Sequence, residues 1–225
     1  RAQYAKVIDQ GVLAESQGLF ASGSPYYSST SFPKYDPSGA KRLIKAAEAV
    51  DGNPIEVTLG TTTGPAALRA QEYVQQAWQT VGFKVTNTIV LQNEIINNAL
   101  AGKFEALLWR QFGAVDPDLN YIFWSTTTVS TGPLSINMAH NADPKIEAAL
   151  LQGRSSTDPT VRAKAYKAVN QLMALDVPYI WTDRAVWAVV SKPNVQNWNN
   201  PTVPDGSKAF GVIGGSVWPT QIWVS

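Results

Sequence analysis

Between residues 36 and 109 the apolar positions switch back and forth between a helical period and a period of two, which predicts helices and strands in alternation. Ala40, Leu43, Ile44 and Ala47 form a helical stripe that opens at Asp36-Pro37. There the aspartate can cap orphan N–H groups and the proline presets φ at the first helical position. Ile55, Val57 and Leu59 alternate as a strand. After Gly64-Pro65, the spacing of Ala70, Tyr73, Val74, Ala77, Trp78 and Val81 predicts a second helix, closed by Gly82. Phe83, Val85, Asn87 and Ile89 read as a second strand, Ile95, Ile96, Ala99 and Leu100 as a short helix ending at Gly102, and Phe104 to Trp109 as a third strand. The order β-α-β-α-β, with long crossovers between the first strands, predicts an α/β fold: a mostly parallel sheet flanked by helices.

The flanks are plainer. Tyr4, Val7 and Ile8 mark an opening helix that ends at Gly11, and residues 17 to 33 form a loop rich in Ser, Gly, Tyr and Pro. Two further helices begin with Asp-Pro. One starts at Asp143-Pro144 with the stripe Ile146, Ala149 and Leu150, the other at Asp158-Pro159 with Val161, Ala165, Ala168, Leu172 and Leu175. Pro178 to Thr182 and Ala185 to Val190 read as strands around Asp183-Arg184, and beyond Lys192 the chain turns rich in Asn, Pro and Gly. Residues 1–192 are therefore expected to form one unit and 193–225 an irregular C-terminal segment. A helix face already in stride at Tyr4, without an initiating Met or an apolar signal segment, suggests a piece of something longer.

Charge and composition narrow the function. With 18 Lys and Arg against 17 Asp and Glu the net charge is +1, and no basic cluster exceeds Lys41-Arg42. That offers no electrostatic footprint for nucleic acid. The longest apolar run, Ala185 to Val190, is far too short to span a bilayer. Without cysteine and with a single histidine, His140, there is no thiolate chemistry, no disulfide framework and no Cys- or His-based metal site. No cofactor is expected, since a Gly-rich phosphate loop, a Gly-x-Ser-x-Gly elbow and a His-x-x-x-His pair are all missing.

Two features could carry chemistry. Asp116 and Asp118 bracket Pro117, and paired carboxylates are what glycosidic cleavage needs. The competing reading is a cap on the apolar run Leu119 to Trp124, because Pro117 holds Asp116 extended. The second feature is aromatic. Eight tryptophans and seven phenylalanines are the one compositional excess, and Trp109-Arg110-Gln111-Phe112-Gly113 follows the third strand. Ligands of open α/β sheets sit at the carboxyl ends of strands, in pockets lined by aromatic faces and a few polar groups. Those five residues are the candidate binding wall, with Asn137 on a facing loop and Arg110 the nearby cation for an anionic group.

The ordered set of pieces resembles the C-terminal half of the family 5 extracellular solute-binding proteins, which serve peptide, dipeptide and nickel ABC importers. Tyr35-Asp36-Pro37-Ser38-Gly39-Ala40-Lys41-Arg42-Leu43-Ile44 is similar to the family's Tyr-Asp-Pro-x-x-Ala-x-x-Leu-Leu. Val81-Gly82-Phe83-Lys84-Val85, Gly102-Lys103-Phe104-Glu105, Asp116-Pro117-Asp118 and the stretch from Asn137 to Glu147 follow in family order. The resemblance implies a type II periplasmic-binding-protein lobe that captures a small solute, most readily an oligopeptide or peptide-like ligand, and delivers it to ABC permease subunits without catalysis. It also implies a missing N-terminal lobe, and a periplasmic or cell-surface location with a lipid anchor on that missing part. Peptide-binding members hold a free amino group with an aspartate just before the Asp-Pro motif; here Phe112, Gly113 and Ala114 stand there, and Asn141 replaces the usual aromatic. Two other readings stay open: a carbohydrate-active enzyme or carbohydrate-binding module using Asp116 and cleft tryptophans, and an interaction domain docking a protein through exposed tryptophans.

Overall fold

A computed structural model describes residues 1–111, 116–128, 135–212 and 214–225. The elements in chain order are α1 (Ala2–Val7), α2 (Pro37–Asp51), β1 (Glu56–Thr62), α3 (Pro65–Gln79), β2 (Lys84–Val90), α4 (Gln92–Leu100) and β3 (Ala106–Leu107). After a 3₁₀ turn (Pro117–Asn120) come α5 (Tyr121–Trp124), α6 (Pro144–Arg154), α7 (Pro159–Asp176), β4 (Val195–Gln196) and β5 (Trp223–Val224). β1 lies between β2 and β3, parallel to both, with Glu56 opposite Lys84 and Leu59 opposite Ala106. The β-α-β-α-β reading thus holds, although the third strand pairs over two residues rather than six.

Local chemistry sets the helix starts. Asp36, Asp143 and Asp158 each accept a hydrogen bond from a first-turn N–H, at 2.8, 2.7 and 2.7 Å, with proline in the next position. The faces the helices bury are partly different from those expected. Ile44 is the one fully buried residue of α2, while Leu43 is 73% exposed. On α3 the inner face includes two glutamines: the Gln71 amide donates to the Leu59 and Thr88 carbonyls, and Gln75 donates to Val85 O at 3.1 Å. On α7 the buried face is Ala165, Tyr166, Val169, Asn170, Met173 and Ala174, and Leu175 is exposed. That rotation has a cause, because Asn170 accepts from Leu19 N–H at 2.8 Å and donates to Ser28 O at 3.1 Å, satisfying backbone groups of the long loop.

The main apolar cluster joins α5, α6 and α7: Tyr121, Trp124, Ile146, Ala149, Leu150, Tyr166, Val169 and Met173, with Leu19, Phe20 and Tyr26 of the loop packed on it. Gly153 brings α6 close to α7, since a Cβ there would lie 2.7 Å from the Tyr166 ring. Beside the sheet, Leu59, Ala70, Val85, Ile95 and Ala99 are buried.

Ala185 to Val190 does not form a strand, in contrast to the expectation from its apolar run. The chain there meets only a single bridge, Glu15 to Asp183, with Ser16 N–H to Thr182 O at 3.1 Å and Arg184 N–H to Ala14 O at 2.9 Å. An apolar run becomes a strand only where another edge accepts its hydrogen bonds, and among the described residues none does; Val190 is 95% exposed. In the C-terminal segment, β4 and β5 pair antiparallel, and Gln221 holds Thr202 through both its amide groups, at 2.8 and 2.7 Å. No helix is long and apolar enough to cross a membrane among the described residues.

Candidate functional site

β3 delivers the chain to the carboxyl end of the parallel sheet, and Leu108 N–H prolongs the pairing by donating to Gly60 O at 2.9 Å. Glycine at position 60 leaves room for Leu107, whose Cδ2 would sit 2.6 Å from a Cβ there. The next residues are those of the expected wall. Trp109 is 37% exposed, Arg110 is exposed and Gln111 is half-buried. Phe112 and Gly113 lie outside the described residues. The Arg110 guanidinium carbon lies 5.3 Å from the centre of the Trp187 ring. Trp187 is in turn contacted by the C-terminal segment: Gly215, at φ +83°, approaches so closely that a Cβ would lie 2.7 Å from its Cε3. Only glycine suits both that dihedral and that approach.

Asn137 takes a different position from the one expected. It is 1% exposed, and its amide donates to Ser125 O at 3.2 Å and to Asn141 O at 2.8 Å. It braces the loop before α6 instead of facing solvent. Ser135, also buried, extends this brace by donating through its hydroxyl to Asn137 O at 2.9 Å and to Thr128 O at 3.2 Å, while its N–H donates to Leu100 O at 2.6 Å.

The two acids are committed to structure. Asp116 Oδ1 accepts from Asp118 N–H at 2.9 Å, the cap expected of it, and both its oxygens accept from Arg162 Nη2 at 2.6 and 2.8 Å. Asp118 lies 3.4 Å from Arg154 Nε and accepts from Tyr166 Oη at 3.4 Å. Burial first, and then the Asp118 charge, pushes the Tyr166 hydroxyl up to about 12, so it stays a donor. Asp116→Asn should keep the cap and lose only the half-exposed ion pair, costing about 1 kcal/mol or less. Asp116→Ala should cost about 1 kcal/mol more. Urea unfolding of both variants checks this; equal losses would mean the cap contributes nothing.

A third acid escaped the sequence reading. Glu147 of α6 accepts from Tyr121 Oη at 2.7 Å, Ser125 Oγ at 2.8 Å, Thr126 N–H at 2.8 Å and Thr126 Oγ1 at 3.2 Å. Trp187 was missed too, although its place within an apolar run made it a visible aromatic. Among the described residues no group of three or more His, Asp or Glu side chains could hold a metal.

Against this geometry, the family model of bacterial extracellular solute-binding proteins, family 5 (middle part), matches residues 1–132. The chain belongs to this family. It is 25% identical over 153 residues to the di/tripeptide-binding protein 2 of Pseudomonas aeruginosa (strain UCBPP-PA14), a match covering 65% of the chain and 28% of that relative. Among solved structures it superposes on the DppA periplasmic binding protein of Helicobacter pylori in complex with the peptide STSA, with TM-score 0.71 and 21% identity over 81% of the chain and 35% of that protein. It also superposes on a mannohexaose-bound oligopeptide-binding protein of Thermotoga maritima, with TM-score 0.73 and 17% identity over 91% of the chain and 42% of that protein. The family 5 chain thus has the type II periplasmic-binding-protein fold, and it spans about a third of the length of the relatives it matches.

Proposed function

We propose that this chain is the second lobe of a solute-binding protein that captures a small solute, an oligopeptide or peptide-like ligand, outside the membrane and hands it to the permease subunits of an ABC importer. Residues 1–192 form the lobe, residues 193–225 return toward a first lobe carried by a longer protein, and any lipid anchor belongs to that longer protein. The observation that supports the reading is the partly exposed Trp109 beside the Arg110–Trp187 contact, directly after β3 of the parallel sheet, in a chain of a solute-binding family. Trp109, Arg110 and Gln111 are the wall residues, and Phe112 and Gly113 continue it in sequence. Catalysis is not part of the reading, because Asp116 and Asp118 are each engaged by an arginine and the relatives are named for binding.

One lobe covers only one side of a ligand, whereas pockets bury most of a ligand's surface. Calorimetry with a pool of short peptides should therefore give at least about tenfold tighter binding to the two-lobed protein than to this chain alone. Equal affinities would remove the shared cleft from the reading. Asp116-dependent hydrolysis of a glycoside by the two-lobed protein would replace it with an enzyme.

A further inference from the structure

Arg110 differs from most arginines of the chain in what holds it. Arg1, Arg42, Arg154 and Arg162 lie within ion-pair distance of Glu15, Asp36, Asp118 and Asp116, and Arg184 donates to the carbonyls of Gly18, Leu19 and Phe20. Arg69 stands exposed on α3. Arg110 instead rests against an aromatic ring, that of Trp187, and among the described residues no carboxylate or carbonyl accepts from it. An aromatic face attracts a guanidinium without using its N–H donors, and the planar fork of donors matches a carboxylate. Gly215 in turn packs against the Trp187 ring on the C-terminal side of the chain.

The surrounding charges point the same way. Of the nearest acids along the chain, Glu105 accepts from the N–H and hydroxyl of Thr58, Asp116 and Asp118 are taken by Arg162 and Arg154, and residues 112–115 are Phe, Gly, Ala and Val. The loop that carries Arg110 therefore does not neutralise it. Building on the solute-binding reading, we propose that Arg110, positioned by Trp187, is the anion anchor of the cleft and receives a carboxylate of the ligand. The favoured solutes are organic acids, including peptides with a free C-terminal carboxylate. Ligands whose sole charge is an ammonium are disfavoured, since a buried ammonium needs a carboxylate that this loop has already paired.

The test uses the chain with ¹⁵N-labelled arginine and two matched probe pairs: N-acetylated tripeptides as free acids and as C-terminal amides, and benzoate with benzamide. The acids should shift the Arg110 Nε–H resonance saturably and bind about tenfold or more tighter than the amides, a difference of about 1.4 kcal/mol. Arg110→Gln should abolish the preference, Trp187→Ala should weaken it, and Trp187→Phe should restore most of it. Acids and amides binding alike, or a preference that survives Arg110→Gln, would overturn the anchor. Benzoate shifting Arg110 while neither tripeptide binds would uphold the anchor and remove peptides from the proposed function. No response to benzoate and to the tripeptide acids would overturn the anchor itself.

Discussion

Replacing Tyr166 with alanine should destabilise the chain by about 3 to 5 kcal/mol, the usual loss when a large buried aromatic is truncated. Tyr166 is 0% exposed and sits where three segments meet. Its ring faces Gly153 of α6, packs edge-on against Tyr26 of the long loop at 5.4 Å, and carries a hydroxyl that donates to Asp118. Few neighbours can collapse into the space, because α6 is held by the Asp143 cap and by Arg162 donating to Gly153 O, and the loop is tied to α7 through Asn170. Leu175→Ala, nine residues further along the same helix, removes an exposed side chain and should change stability by about 0.5 kcal/mol or less. Urea unfolding of both variants would measure the contrast as shifts of the midpoint at unchanged slope. Similar losses at the two positions would mean that α7 buries the leucine face after all.

That pair of residues shows which parts of the fold could be read from the chain. Where an element is local, its signals suffice: the three Asp-Pro starts and the Ile95, Ile96, Ala99, Leu100 stripe appear as expected. Apolar spacing on α7 points to Leu172 and Leu175; Leu172 does pack against the core, but Leu175 is exposed, and the buried face includes Asn170, a polar residue drawn inward by the backbone of a loop some 150 positions earlier. Gln71 and Gln75 are the same case on α3, buried because strand carbonyls accept from them. No hydrophobic pattern can announce such residues, since their burial depends on partners distant in sequence.

The candidate site divides along the same line. Trp109, Arg110 and Gln111 are proposed as wall residues from their place after the third strand, a local property. Trp187 has no such local mark, because its contacts come from Gly215 of the C-terminal segment and from Arg110 in another part of the chain. Asn137 looked available as a loop amide but is spent on Ser125 and Asn141, which hold the approach to α6.

Beside this loop, Glu147 of α6 makes the fold sensitive to pH. Glu147 should lose about 2 to 3 kcal/mol of stability when changed to Gln at neutral pH, because hydrogen bonds to a charged carboxylate are strong and Gln offers one acceptor where Glu offers two. Tyr121, Ser125 and Thr126 all donate to it, so one or more of these donors would be left facing an amide NH₂. Burial alone would raise the carboxyl's pKa; the hydrogen bonds from Tyr121, Ser125 and Thr126 outweigh it and hold the group below the ordinary glutamate value. A pKa lowered on folding means that the stabilisation is fully present above the unfolded value, about 4.3, and fades as pH falls through the lower native value. The gap between the parent chain and Glu147→Gln should therefore be widest at pH 7 and shrink to about 1 kcal/mol or less near pH 3. Unfolding curves for both proteins at the two pH values decide it: a gap of the same size at pH 3 and pH 7 would mean that the carboxylate's charge plays no part, and that Glu147 acts through packing alone.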